Sequence, residues 1–192
     1  MTVASAAAPF RLVAPAFVAA TILVFVLAGR AEGAERTWSA YLAPAGACAA
    51  ADDAVAPAAS QTRAIACLVN WARRQEGRAG LLRRSALRRA AELKGQSVAS
   101  CGQFSHTPCG APITSGVNAS GYRYATFGEN LFAATGSVTP RQVVTAWLNS
   151  PPHRANMLSG RFRHVGAAPV QASGLLGGAD AVVWTATFAS PR

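Results

Sequence analysis

Three hydrophobic patterns follow one another along this chain. Leu12 to Ala28 form an almost unbroken apolar run, broken only by Thr21. From about residue 61 to 158 apolar residues recur every three or four positions, the period of helices with one buried stripe. From His164 onward they tend to alternate, as in strands. The spacing predicts a first helix over Gln61–Gln75, with Ser60 as N-cap, Ala64, Ile65, Leu68, Trp71 and Ala72 as its stripe, and Gly77 as its end. A second helix begins after Ser85, carries Leu87, Ala90, Ala91, Leu93 and Val98, and runs to about Ser100. Gly95 inside it costs about 1 kcal/mol relative to alanine. Thr139-Pro140-Arg141-Gln142 reads as a capping box opening a third helix, which buries Val143, Val144, Trp147 and Leu148. Ser150-Pro151-Pro152 stops that helix and starts a short fourth one through Leu158. Glycine and proline punctuate residues 101–128, which read as a long loop, and loops of that length are often functional. Two strands are predicted, His164–Val170 and Ala181–Phe188, joined by the turn-rich Ser173–Gly178, with Trp184 and Phe188 on the buried face. Helices first and strands last, without βαβ alternation, indicate an α+β fold.

The opening run changes the cellular picture. Arg11 precedes it and small residues follow to Ala34, so residues 1–34 fit a signal peptide, with an uncleaved N-terminal anchor as the alternative. Either one places the rest of the chain outside the cytoplasm, extracellular or in the cell envelope. Residues 35–60 are rich in Ala and Pro and read as an arm or linker, and residues 61–192 read as one domain of ordinary size. The chain has four cysteines, Cys48, Cys67, Cys101 and Cys109, and no C-x-x-C pair. That count suits a disulfide framework better than a zinc knuckle or a thioredoxin-type site. Three pairings are open. The preferred one joins Cys101 to Cys109 across a short loop and, by elimination, Cys48 to Cys67.

The net charge of +10 comes almost wholly from arginine, Lys94 being the sole lysine. Arg73, Arg74, Arg78, Arg83, Arg84, Arg88 and Arg89 crowd together. Such a patch suits anionic lipid or an anionic wall polymer, but a solvated helical face is the plainer reading. Export and the lack of interleaved aromatics exclude a nucleic-acid role.

Candidate chemistry is sparse. Of three histidines, His106 follows the second helix within the Cys101–Cys109 bracket and His153 sits where the third helix ends. Between them Glu129 lies near Phe127 and Leu131, a setting that buries a carboxylate and demands a partner or a metal. Two imidazoles and one carboxylate suit a divalent metal (Zn²⁺, Mg²⁺ or Ca²⁺), or equally a hydrogen-bonded network without an ion. Asn130 and Asn156 are expected to satisfy backbone groups, Arg154 to pair with Glu129 or face solvent, and His164 to lie at the surface. Ser105 or Ser150 beside His153 lacks the elbow and third member of a serine triad.

Phe104-Ser105-His106, Gly121-Tyr122, Gly128-Glu129-Asn130-Leu131, Trp147 through Leu158 with its Asn149-Ser150-Pro151-Pro152-His153-Arg154-Ala155-Asn156 core, Val165-Gly166 and Trp184-Thr185-x-x-Phe188 occur in this order. Together with Leu68-Val69-Asn70-x-x-Arg73 and Leu81-x-x-x-Ser85-x-Leu87-x-x-Ala90-Ala91, they resemble the bacterial branch of the CAP (SCP/PR-1-like) superfamily. The resemblance spans about residues 63–188. It implies an α-β-α sandwich: a small, mostly antiparallel sheet flanked by helices, with a cleft lined by two histidines and two acids. His106, Glu129 and His153 match three of those four. The fourth, a glutamate after the third-helix tryptophan, is absent, since Trp147 is followed by Leu148-Asn149-Ser150. The expected function is a monomeric extracellular module that binds a ligand or partner through this cleft, with Asn130, Ser150, Arg154 and Asn156 in support. The alternative is a metal-dependent hydrolase acting on peptides or the envelope. There His106 and His153 would hold the ion and Glu129 would be the candidate catalytic base. Lipid binding, attributed to some family members, is a third reading.

Overall fold

The computed structural model describes residues 38–192, so the expected leader over 1–34 lies outside the described residues. The elements are α1 (Ala58–Gln75), β1 (Leu82–Arg83), α2 (Ser85–Cys101), α3 (Ser115–Ala119), β2 (Tyr124–Ala134), α4 (Pro140–Asn149), α5 (Pro151–Leu158), β3 (His164–Leu176) and β4 (Ala179–Pro191). The four strands form one sheet in the order β1-β3-β4-β2, antiparallel except for the short parallel β1–β3 pair. Helices cover both faces, giving the α-β-α sandwich that the resemblance implies.

Period two decides which helix each β4 residue meets. Val182, Trp184, Ala186 and Phe188 share a core with α1, α4 and α5. Val183 packs with Val98 of α2, and Ala189 with Leu87 and Ala90. The expectation of one buried face was therefore half of the answer. Ala181 through Ala189 are buried without interruption, because β4 is a central strand with helices on both sides. The hairpin joining β3 to β4 turns on Gly177 and Gly178, both at positive φ (62° and 88°), the geometry a two-residue hairpin favours.

Each predicted helix is present, α4 and α5 starting where expected and α1 three residues earlier. α1 begins at Ala58 after Pro57, so Ser60 lies inside it, and its end is a glycine motif in which Gly77 N–H and Arg78 N–H donate to the carbonyls of Arg74 and Arg73. The α4 capping box is formed: Gln142 N–H donates to Thr139 Oγ1 and Thr139 N–H to Gln142 Oε1. Gly95 has a packing purpose, since a Cβ there would sit 2.6 Å from Val170 on β3. At Gly166 a Cβ would lie 2.1 Å from the backbone nitrogen of Arg88, so α2 lies directly on the sheet there.

Besides the short β1 and the continuation of β3 to Leu176 through part of the expected turn, two segments differ from the sequence reading. The long loop over 101–128 contains a 3₁₀ turn at Pro108–Gly110, the helix α3 and the start of β2. The strand escaped notice because polar Glu129 and Asn130 interrupt its apolar alternation. The arm over 35–60 is, from residue 38, folded onto the domain: Tyr41, Ala43, Cys48 and Ala51 are buried in the core with α1 and α4. Its ties come from distant residues. Cys48 is disulfide-bonded to Cys67, Tyr41 donates to the Glu76 carboxylate, and Arg141 binds both oxygens of Asp52 and the carbonyl of Ala43. The second disulfide, Cys101–Cys109, closes the loop that carries His106.

Candidate functional site

β2 forms one edge of the sheet and holds Glu129 and Asn130 in its middle. Glu129 lies opposite Thr187, and Asn130 opposite Ala186, so the two side chains leave opposite faces. Glu129 points to the α2 side. There the carboxylate lies 3.7 Å from Lys94 Nζ, both side chains being 2% exposed. Lys94 also donates to the carbonyl of His106 at 2.6 Å. His106 Nδ1 stands 2.8 Å from Glu129 Oε1. A carboxylate accepts, so Nδ1 carries the proton of this contact and Nε2 is left outside it. The His106 side chain is 44% exposed, which presents that nitrogen to incoming groups.

Asn130 points to the α5 side and is fully buried. Its amide donates to the carbonyl of His153 at 3.0 Å and its oxygen accepts from Asn156 at 2.9 Å. Asn156 also donates to the carbonyl of Glu129 at 3.1 Å, and Trp147 Nε1 donates to that of Leu131 at 3.0 Å. Side chains thus satisfy carbonyls that an edge strand leaves open. Gly128 makes room for this, since a Cβ there would meet Phe162 at 2.6 Å and Asn156 Oδ1 at 3.1 Å.

His153 sits half-buried on α5, with its pKa pushed below the usual histidine value first by burial and then by the charge of His106. No hydrogen bond joins its ring to His106 or Glu129 among the described residues. Nor are any three of His, Cys, Asp and Glu, among those residues, grouped closely enough to hold a metal ion. His106, Glu129 and His153 form no such group among the described residues, Glu129 being turned to His106 Nδ1 and Lys94.

Three other expectations change. Arg154 pairs neither with Glu129 nor with water alone: it donates to the Leu148 carbonyl at 2.6 Å and stacks 4.0 Å over the Trp38 ring. Ser150 links α4 to α5 through its carbonyl, which accepts from Arg154 N–H, and its hydroxyl caps nothing. His164 is 8% exposed rather than at the surface, and contacts Tyr122 Oη through Nδ1 at 2.5 Å and Arg84 through Nε2 at 3.1 Å. Arg73, grouped with the basic patch by sequence, is 2% exposed and donates to the carbonyls of Ala79, Met157 and Ser159. Lys94 went unnoticed as a site residue. Its signal was available: it shares the helical spacing of buried Leu87, Ala91 and Val98, in a chain that otherwise uses arginine.

The family model described as the cysteine-rich secretory protein family, CAP, matches residues 67–188. The chain belongs to the CAP family. The uncharacterized protein YkwD of Bacillus subtilis (strain 168) is 33% identical over 123 residues, 63% of this chain and 44% of that protein. Among solved structures, an extracellular protein containing an SCP domain from Bacillus anthracis str. Ames superposes with a TM-score of 0.59 at 18% identity, covering 70% of this chain and 41% of that one. An outer surface protein of Borrelia burgdorferi does so at 0.54 and 17% identity, covering 65% and 87%. The chain thus spans less than half the length of the two Bacillus proteins. In this CAP domain α4 brings no carboxylate after Trp147, Leu148 being buried and Asn149 exposed. Among the described residues, Lys94 is the ion-pair partner that Glu129 has besides His106. No described helix is long and apolar enough to cross a membrane.

Proposed function

We propose that this CAP domain works outside the cytoplasm as a binding module, taking a ligand or partner at the surface around His106, Glu129 and His153. The observation that carries the reading is the engagement of Glu129 by both Lys94 and His106. A general base acting on a bound water needs a carboxylate with a free, solvent-reaching oxygen lone pair. Glu129 is buried and its charge is matched within the fold. His106 Nε2 and the exposed rim of its loop are then the groups available to an incoming molecule. An extracellular setting agrees with the similarity to an extracellular protein of Bacillus anthracis and an outer surface protein of Borrelia burgdorferi, and with the apolar run that opens the sequence.

The test is calorimetric titration of the full chain with Zn²⁺, Mg²⁺ and Ca²⁺, beside the H106A/H153A variant. The binding-module reading expects no stoichiometric uptake. One ion per chain, lost in the variant, together with hydrolytic turnover that disappears in the same variant, would replace it with the metal-dependent hydrolase.

A further inference from the structure

The opposite edge of the sheet carries a second feature that the site above does not use. A cavity of about 350 Å³ opens between α1 and the β1–α2 junction. Arg63, Arg83, Arg84 and Arg88 line it, and its floor is apolar, built from Ala66 and Ala167 among others. Of these arginines only Arg88 has a carboxylate partner among the described residues, Glu92 at 3.1 Å, with both side chains well exposed. Arg63 donates to Ser60, and Arg83 makes no side-chain hydrogen bond or ion pair there.

Arg84 is held from behind. Its guanidinium donates to His164 Nε2, so the ring's other nitrogen carries a proton and donates to Tyr122 Oη. Burial and the adjacent guanidinium push the His164 pKa down, which keeps the ring neutral and able to accept. Half-buried Tyr122 and buried, neutral His164 thus hold the exposed Arg84 guanidinium at the cavity rim without neutralising it.

We infer that this cavity is a binding site for a small phosphate ester whose apolar body rests on the alanine floor. Planar guanidinium forks match the oxygens of a phosphate two at a time. The cavity lies at the small end of the range for small-molecule sites, which suits a compact soluble ester. The exposed arginine cluster otherwise sustains mutual repulsion with little compensation, and a dianion relieves it.

Phenyl phosphate is the probe, titrated into the full chain by calorimetry at low ionic strength. Binding in the range of about 0.1 to 1 mM is expected, with inorganic phosphate at least about tenfold weaker and benzyl alcohol silent. R63A and R83A should each weaken phenyl phosphate by about tenfold, and R83K by less, because lysine keeps the charge but loses the fork. A59F fills the cavity from an exposed position and should abolish binding with all four arginines in place. H106A/H153A should leave binding unchanged, which separates this site from the proposed one at β2. Equal melting temperatures of the R63A, R83A and A59F variants confirm their folding. Binding that survives both R83A and A59F, binding no tighter than inorganic phosphate, or none at about 10 mM overturns the inference.

Discussion

At the β2 edge the charges are buried and matched. At the β1 edge they are exposed and mostly unmatched. Lys94 and Glu129 are each 2% exposed, and neither is tolerable without the other. Arg63, Arg83, Arg84 and Arg88 sit in water around an open cavity. The difference teaches what a charged residue is for. Where the solvent is gone, an ion pair organises its surroundings: Lys94 fixes the His106 carbonyl, Glu129 fixes the His106 ring, and Cys101–Cys109 ties the loop. Where solvent remains, cations contribute little to folding and stay available to a ligand.

The largest break in this contrast comes at Lys94. K94M leaves Glu129 buried beside a half-exposed histidine and should cost about 3 to 5 kcal/mol by denaturant unfolding. The double variant K94M/E129Q should recover a substantial part of that loss, because the orphaned charge is gone. A loss below about 1 kcal/mol for K94M would mean that the pair is no strut. Next comes the His106 loop. C101A/C109A removes a closure of eight residues in sequence separation and should cost about 2.5 kcal/mol, read by thermal unfolding.

Acid sharpens the comparison at the other edge. The folded-state pKa of His164 is lowered by burial and by Arg84, so the unfolded chain binds a proton first as pH falls past the ordinary value of 6.5. Its contribution to stability is therefore complete at neutral pH and declines as pH drops through 6.5 and below. H164Q, which keeps a neutral acceptor for Arg84, should flatten that decline when unfolding is compared at about pH 7.5 and about pH 5. The smallest effects belong to the rim. R63A and R83A should change stability by no more than about 0.5 kcal/mol, and a larger loss would show these arginines to be structural, as Arg73 is.

Local signals were enough for α1, α2, α4 and α5. The capping box at Thr139, the stripe of α1 and the glycine end at Gly77 each rest on residues within one or two turns, and each is legible as written. The ordered motifs from Phe104 to Phe188 likewise point to the CAP fold. The site was legible in part. His106, Glu129 and His153 stood out as chemistry-bearing types, yet their relations did not: Glu129 and Lys94 are 35 positions apart and meet because β2 pairs with β4 beneath α2. The β2 strand was hidden by Glu129 and Asn130, since polar residues in mid-strand erase the alternation that marks one.

The sequence by itself determined the four longer helices, the two C-terminal strands, the pattern of the family and the residue types available for chemistry, because those follow from neighbours along the chain. Only the tertiary structure decided which charges lose their water. Burial made Arg73 a clamp on three carbonyls, turned His164 from a surface residue into a buried link, and joined Lys94 to Glu129, while leaving Arg83 in solvent. Desolvation depends on what packs from the far side of the sheet, and no local window of residues contains it.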